Sequence, residues 1–233
     1  MARKPNPNQL TELRRSLRML RAKAVNSLGR AILSKESAAK VYEVFLMVAL
    51  AEQLTHRGFV WEIRDFTGRK CSTLYYRGSP AFLSSGGSLA IWRPKKPSQV
   101  FEFFNGVRWI GHSGESHEAD IALINSRNLK GYRKANHAVF APIIFAAECK
   151  YIRTTLPLDY VRSLLGLHLE LNPSHMHLVT KPHYNRSIYH IARHYRRFRW
   201  PIYYSWKVDD FTDANLKRFL DFACHRIERL TSD

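Results

Sequence analysis

Cysteine is scarce in this chain of 233 residues: Cys71, Cys149 and Cys224 are three, odd in number, far apart and without CxxC spacing. That excludes a disulfide framework and a zinc ribbon, and a reducing cytoplasm is the expected compartment. Acid is also short, with 19 Asp and Glu against 37 Lys and Arg, for a formal net charge of +18. Self-repulsion on that scale points to a polyanionic partner, nucleic acid first and an anionic membrane surface second. Long hydrophobic runs are missing as well. Val44 to Ala51 and Ala138 to Ala147 are too short to span a bilayer, and no apolar segment follows the basic, Pro- and Asn-rich start. No membrane partner is expected. Glycine-rich phosphate cradles are absent too: Ser84-Ser85-Gly86-Gly87-Ser88 reads as a plain turn.

What the chain does contain is a core. A hydrophobic fraction of 45% and an aromatic fraction of 12% belong to a globular protein, and the length suits one domain with a helical extension. After a Pro5/Pro7 arm, Leu10, Leu13, Leu17 and Leu20 recur at helical spacing beneath Arg14, Arg15, Arg18, Arg21 and Lys23. This basic helix either packs its leucine stripe and leaves a solvated face, or contacts phosphates through Arg14, Arg18 and Arg21. Residues 1–36 are therefore expected as a basic arm and amphipathic helix, and residues 37–233 as one folded domain.

Within that domain, Ser37 to Leu54 predicts a helix with Val41, Val44, Phe45, Val48 and Ala51 on its apolar face, and Gly58 as its C-terminal stop. Glu43 lies one step from that face. Phe59 to Ile63, Ser72 to Tyr76, Leu89 to Trp92 and Val100 to Phe104 predict strands of an antiparallel meander. Two further strands, Ile121 to Ile124 and Ile143 to Lys150, are joined by a polar, basic insertion from Asn125 to Asn136. A helix from Leu158 to Leu171 follows, with Leu158, Val161, Leu164, Leu165 and Leu169 on one face and Pro157 at its start. Then come a strand at Met176 to Thr180, an acid-free Tyr/Arg-rich stretch, a strand at Pro201 to Val208, and a closing helix from Phe211 to Leu230 started by Thr212 or Asp213. The expected fold is α/β or α+β, with a central mixed sheet flanked by helices.

Chemistry concentrates at the end of one apolar strand, Ile143-Ile144-Phe145-Ala146-Ala147-Glu148-Cys149-Lys150. Side chains of a strand alternate faces, so Glu148 and Lys150 share one side and Cys149 turns to the other. Charges at the end of a buried strand need partners or a metal. Asp120 stands just ahead of the neighbouring apolar strand and supplies a second carboxylate. Cys149 is then expected as a buried free thiol rather than a nucleophile. Glu118, on the face of Asp120 by alternation, is either a further ligand or a solvated charge at the strand's start. Glu43 is either a third ligand or the partner of a nearby Arg or Lys.

The order acid, strand, insertion, apolar strand, Glu-x-Lys, helix resembles the PD-(D/E)xK nuclease superfamily, which has the restriction-endonuclease-like fold. Asp120 matches the family's metal-binding aspartate, Glu148 its second acid and Lys150 its lysine, with Glu43 on an upstream helix where many members carry another acid. Ala119 departs from the pattern, since proline often precedes that aspartate. The resemblance covers roughly residues 37 to 180 and implies a Mg²⁺-dependent DNA endonuclease, with Mn²⁺ as a substitute, cutting to a 5′-phosphate and a 3′-hydroxyl. It implies Asp120, Glu148 and Lys150 as catalytic residues. Asp120, Glu148, Glu43 and the Cys149 carbonyl oxygen would be the metal ligands.

That chemistry has its own reason: attack on an anionic phosphodiester needs charge neutralisation and an activated water, which a hard cation held by oxygens provides. Lys150 would orient or help deprotonate the water, and desolvation and a nearby metal are expected to lower its pKa. Arg162, on the helix after Lys150, and Arg193, Arg196 and Arg197, interleaved with Tyr189, Tyr195 and Trp200, are candidate backbone contacts for double- or single-stranded DNA. A protein partner or homodimer is compatible with this, since a basic nuclease needs restraint. His190 and His194 have helical metal-ligand spacing but no HExxH glutamate, so structural or DNA-backbone roles are expected of the histidines. The rival function is a nucleic-acid-binding module of the same fold without catalysis.

Overall fold

Helix α1 (Ala38–Thr55) carries no polar face over its central turns: every residue from Val41 to Ala51 is buried. An all-round apolar helix can be stable only when it is enclosed. It ends as expected at Gly58, whose φ of +82° suits glycine, with Phe59 N–H donating to the Leu54 carbonyl at 3.1 Å. The computed structural model describes residues 38–151, 157–180, 190, 194, 202–207 and 214–231. The expected N-terminal arm and helix, with Arg14, Arg18 and Arg21, lie outside the described residues. So do Arg193, Arg196 and Arg197, and the Thr212 or Asp213 helix start.

The chain is an α+β fold. Among the described residues seven strands form one sheet in sequence order: β1 (Val60–Arg64), β2 (Ser88–Arg93), β3 (Lys96–Ile110), β4 (Ser116–Asn125), β5 (Ile143–Lys150), β6 (His175–Thr180) and β7 (Ile202–Lys207). β1 through β5 pair antiparallel, the meander being predicted only for β1–β3, whereas β5–β6 and β6–β7 are parallel. A parallel neighbour requires a crossover, and α2 (Leu158–Leu171) supplies it between β5 and β6. Helix α3 (Ala214–Leu230) closes the chain.

Two apolar layers cover the sheet. In one, α1 and α3 meet Phe101, Phe103, Ile121, Leu123, Phe145 and Cys149. In the other, Val161, Leu164 and Leu171 of α2, Leu129 of the insertion and Val139 just after it meet Val107, Trp109, Ala122 and Ile124. Alternation along β3 and β4 slips once. Phe103 and Leu123 belong to the first layer, but Val107 and Ala119 belong to the second. Between the pairs Asn105–Ile121 and Val107–Ala119 lie Gly106, with φ of +56°, and Asp120. The left-handed glycine lets both strands exchange faces there.

Three expectations are corrected. Ser72 to Tyr76 is not a strand. Leu74 is buried in the core, and the segment is fixed instead through Arg77, whose guanidinium donates to the carbonyls of Phe82, Leu83, Gly86, Gly87 and Asn105 at 2.9–3.4 Å. Asp120 lies inside β4 rather than ahead of it, because pairing of Ser116–Ala119 with Val107–Ile110 carries the strand upstream through polar residues. Leu169 is 58% exposed and His168 takes its place inside, since the buried stripe of α2 runs Val161, Leu164, His168, Leu171.

Candidate active site

β4 and β5 run side by side with Ile121 opposite Ala147, which places Asp120 at the level of Glu148. The strands convert sequence positions 28 residues apart into neighbours. The Cys149 amide donates to Asp120 Oδ2 at 2.8 Å, a bond that fixes the carboxylate to the end of β5. Lys150 Nζ donates to the same Asp120 oxygen at 3.2 Å and to Glu148 Oε2 at 2.7 Å. Asp120, Glu148 and Lys150 are thus one hydrogen-bonded group. Cys149 points the other way into the α1–α3 layer, as alternation requires, and burial pushes its thiol well above the ordinary range.

A second group adjoins it. Lys40 Nζ of α1 donates to Glu43 Oε2 at 2.9 Å and to Glu118 Oε1 at 3.2 Å. Glu43 is 3% exposed and pairs with Lys40. A Cβ at Gly106 would come 3.4 Å from Glu118 Oε1 and 3.6 Å from Lys40 Nζ, ordinary contact distances, so this ion pair lies against the slip in β3. Tyr160, in the first turn of α2, brings its ring 5.7 Å from Lys150 Nζ. Arg162 does not join the group: it is exposed and donates to Asp159 Oδ1 at 3.2 Å.

Four carboxylates therefore face two lysines, and the imbalance registers in their protonation. Burial, then the charge of Asp120, pushes the Glu43 carboxyl up to about 8 against the opposing pull of Lys40. Burial and Asp120 likewise raise Glu148 to about 7, although Lys150 opposes them. Lys150 moves opposite to expectation. Burial does act to lower its pKa, but Glu148 and Asp120 outweigh it and the ammonium is held well above its ordinary range. Lys40 is raised too, with Glu43 overcoming the cost of burial.

Among the described residues no three His, Cys, Asp or Glu side chains are grouped to hold a metal ion directly. The lysines occupy the space between the acids. The donor chemistry still fits Mg²⁺, which takes one or two carboxylates and keeps several waters. Asp120 and Glu148 are hard oxygen donors that already share one cationic partner, and the proton that Glu148 retains near neutrality is one a divalent cation would displace.

Sequence reasoning missed Lys40 and Tyr160. Lys40 had a visible signal, its i,i+3 spacing to Glu43 on a helix, whereas its bond to Glu118 crosses 78 positions. Tyr160 is placed by the α2 crossover, which no local pattern reveals. The chain matches no protein-family model, no curated protein and no solved structure.

Proposed function

We propose that the protein is a Mg²⁺-dependent endonuclease of the PD-(D/E)xK type that hydrolyses phosphodiester bonds in DNA, with Mn²⁺ as a substitute. The observation that carries this is that Lys150 Nζ contacts both Asp120 and Glu148, a cation shared by a buried acid inside β4 and a half-buried acid near the end of β5. Supporting it are the order of elements around them and the net charge of +18, which suits a polyanionic substrate. In that order an acid-bearing helix comes first, then antiparallel β3–β5, then a helix and a parallel strand. Restriction, transposition, repair and anti-phage defence all suit such an enzyme.

Asp120 and Glu148 would hold the metal, with Glu43 and the Cys149 main-chain oxygen as further donors. When bound, the ion neutralises charge on the phosphate and makes a water more acidic. Lys150 is held as an ammonium by its two acids, so it serves as a donor that orients the attacking water and offsets charge on the phosphate rather than as a base. Lys40 balances Glu43 and Glu118, which keeps two carboxylates beside the site without leaving both charges unpaired. Tyr160 offers an exposed ring beside Lys150 on which a base can stack.

The test is to incubate the protein with plasmid and single-stranded DNA in Mg²⁺ or Mn²⁺, beside Lys150→Ala and an EDTA control. Cleavage by the wild type alone is expected. No cleavage by the wild type, or equal cleavage by the variant, overturns the assignment. Salt-sensitive binding without cleavage would identify the binding module instead.

A further inference from the structure

The insertion between β4 and β5 builds a second charged centre, of opposite sign to the first. It folds over the start of β3 and borders an open hollow of about 520 Å³ whose lining includes Arg64, Arg127, Lys130, Arg133 and Lys134 and, among the described residues, no acid. The base of this hollow is constructed around Glu102, which is 0% exposed. Its two oxygens accept from Ser88 Oγ at 2.6 Å, Ser126 Oγ at 2.6 Å, Arg133 Nη1 at 3.1 Å and Arg64 Nη1 at 3.4 Å, and from Arg133 Nη2 in a short bond.

A buried carboxylate is costly unless it is fully bonded, and here its bonds are spent on aiming two guanidiniums. Arg133 is fixed from the other side as well. A Cβ at Gly68, where φ is +85°, would lie 2.6 Å from Arg133 Cζ, so the Gly68 turn stays bare where the guanidinium crosses it. Arg64 is held again by Glu62 at 2.9 Å.

Guanidiniums carry five donors each, so these contacts leave donors over on both arginines. Arg127, Lys130 and Lys134 are exposed and make no ion pair with an acid among the described residues. Five cations against Glu102 and Glu62 leave an excess of three positive charges at one concave site. Asn125, the last residue of β4, follows Asp120 by five positions and Ser126 comes next, which places the hollow roughly 17–20 Å from the carboxylates, close to the rise of five or six base pairs.

We propose that this hollow binds a backbone phosphate of the nucleic-acid substrate, anchoring the strand several nucleotides from the point of cleavage. This rests on the reading of the protein as acting on DNA, and its test is separable from that of cleavage. The site is assembled from β1, β3 and the insertion, and the donors that Arg64 and Arg133 keep beyond Glu102 and Glu62 are available to phosphate oxygens.

The experiment measures binding of a fluorescent duplex of about 30 base pairs in EDTA over a salt series. The wild type is compared with the triple variant Arg127→Ala, Lys130→Ala, Lys134→Ala. A control triple, Lys217→Ala, Arg218→Ala, Arg229→Ala, removes the same charge from exposed positions of α3. The pocket variant is expected to bind at least about tenfold more weakly near 0.1 M salt, with a log–log salt slope shallower by about one to three. The control is expected to stay close to wild type. Equal losses in both triples, or unchanged slope and affinity in the pocket variant, would overturn the proposal. Selective loss in the pocket variant sustains it even if the wild type proves unable to cleave, and cleavage with unchanged binding would sink this site while leaving the nuclease reading intact.

Discussion

The two charged centres on β3 and β4 are built from the same parts with the proportions reversed. Around Asp120, four carboxylates meet two lysines; around Glu102, one buried carboxylate meets two arginines while three more cations stand nearby. The protonation shifts follow the proportions. Glu43 and Glu148 are raised, because burial and a neighbouring acid outweigh their lysines. Burial pushes Glu102 the same way, yet Arg133, Ser126 and Ser88 outweigh it and hold the carboxyl below its usual range. One end of the strand pair lacks positive charge and suits a cation; the other has it in excess and suits an anion.

The sharpest way to break the comparison is to remove the central acid of the first centre. Asp120→Asn is expected to lower the DNA cleavage rate by at least about 10²–10³-fold. It should leave the metal-free protein as stable as the wild type or more so, since it also removes the charge that raises Glu43 and Glu148. Retained cleavage, or metal-free unfolding at a clearly lower temperature, would mean that Asp120 is structural. In the second centre the balance of effects is opposite. Glu102→Ala strips two arginines of a fully buried partner and should cost about 3–5 kcal/mol in denaturant unfolding. A loss under about 1 kcal/mol would show that the guanidiniums do not depend on it.

The two centres also differ in the sign of their pH dependence. Glu102 has its folded pKa below the unfolded one, so its stabilisation is present above the unfolded value and is lost as pH falls. Glu43, at about 8 against an unfolded 4.5, retains a proton in the folded state that the unfolded chain releases, so stability is lost as pH rises through that window. Glu43→Gln cannot titrate. Its melting temperature relative to wild type should therefore climb between pH 5 and pH 8, by about 2 °C or more. A difference that stays flat with pH would remove the charge crowding from the account. The smallest effect is expected from Arg162→Ala, whose partner Asp159 is even more exposed than it is: within about 0.5 kcal/mol in stability.

Sequence patterns revealed most of the first centre and almost none of the second. Strand alternation alone gave Glu148 and Lys150 a shared side and turned Cys149 inward, because period two is local. The helices at 38–55 and 158–171 were legible for the same reason, through their apolar spacing and through the glycine that stops the first. What stayed hidden depends on contacts between distant segments. Ser72 to Tyr76 has strand composition, but its anchoring by Arg77 is set by carbonyls up to 28 residues away. The slip at Gly106 shows only once β3 and β4 are paired. Glu102 reads as one acid in an aromatic strand, and its five donors come from four residues in three separate segments. The basic insertion was visible as composition; its concave shape was not.

The central claim is that the acid-rich end is a cation site. Mn²⁺ binding followed by electron paramagnetic resonance, for the wild type beside Asp120→Asn/Glu148→Gln, tests it without relying on activity. The account predicts bound Mn²⁺ in the wild type and its loss in the double variant. A wild type that binds no Mn²⁺, or a double variant that binds it as tightly, would contradict it.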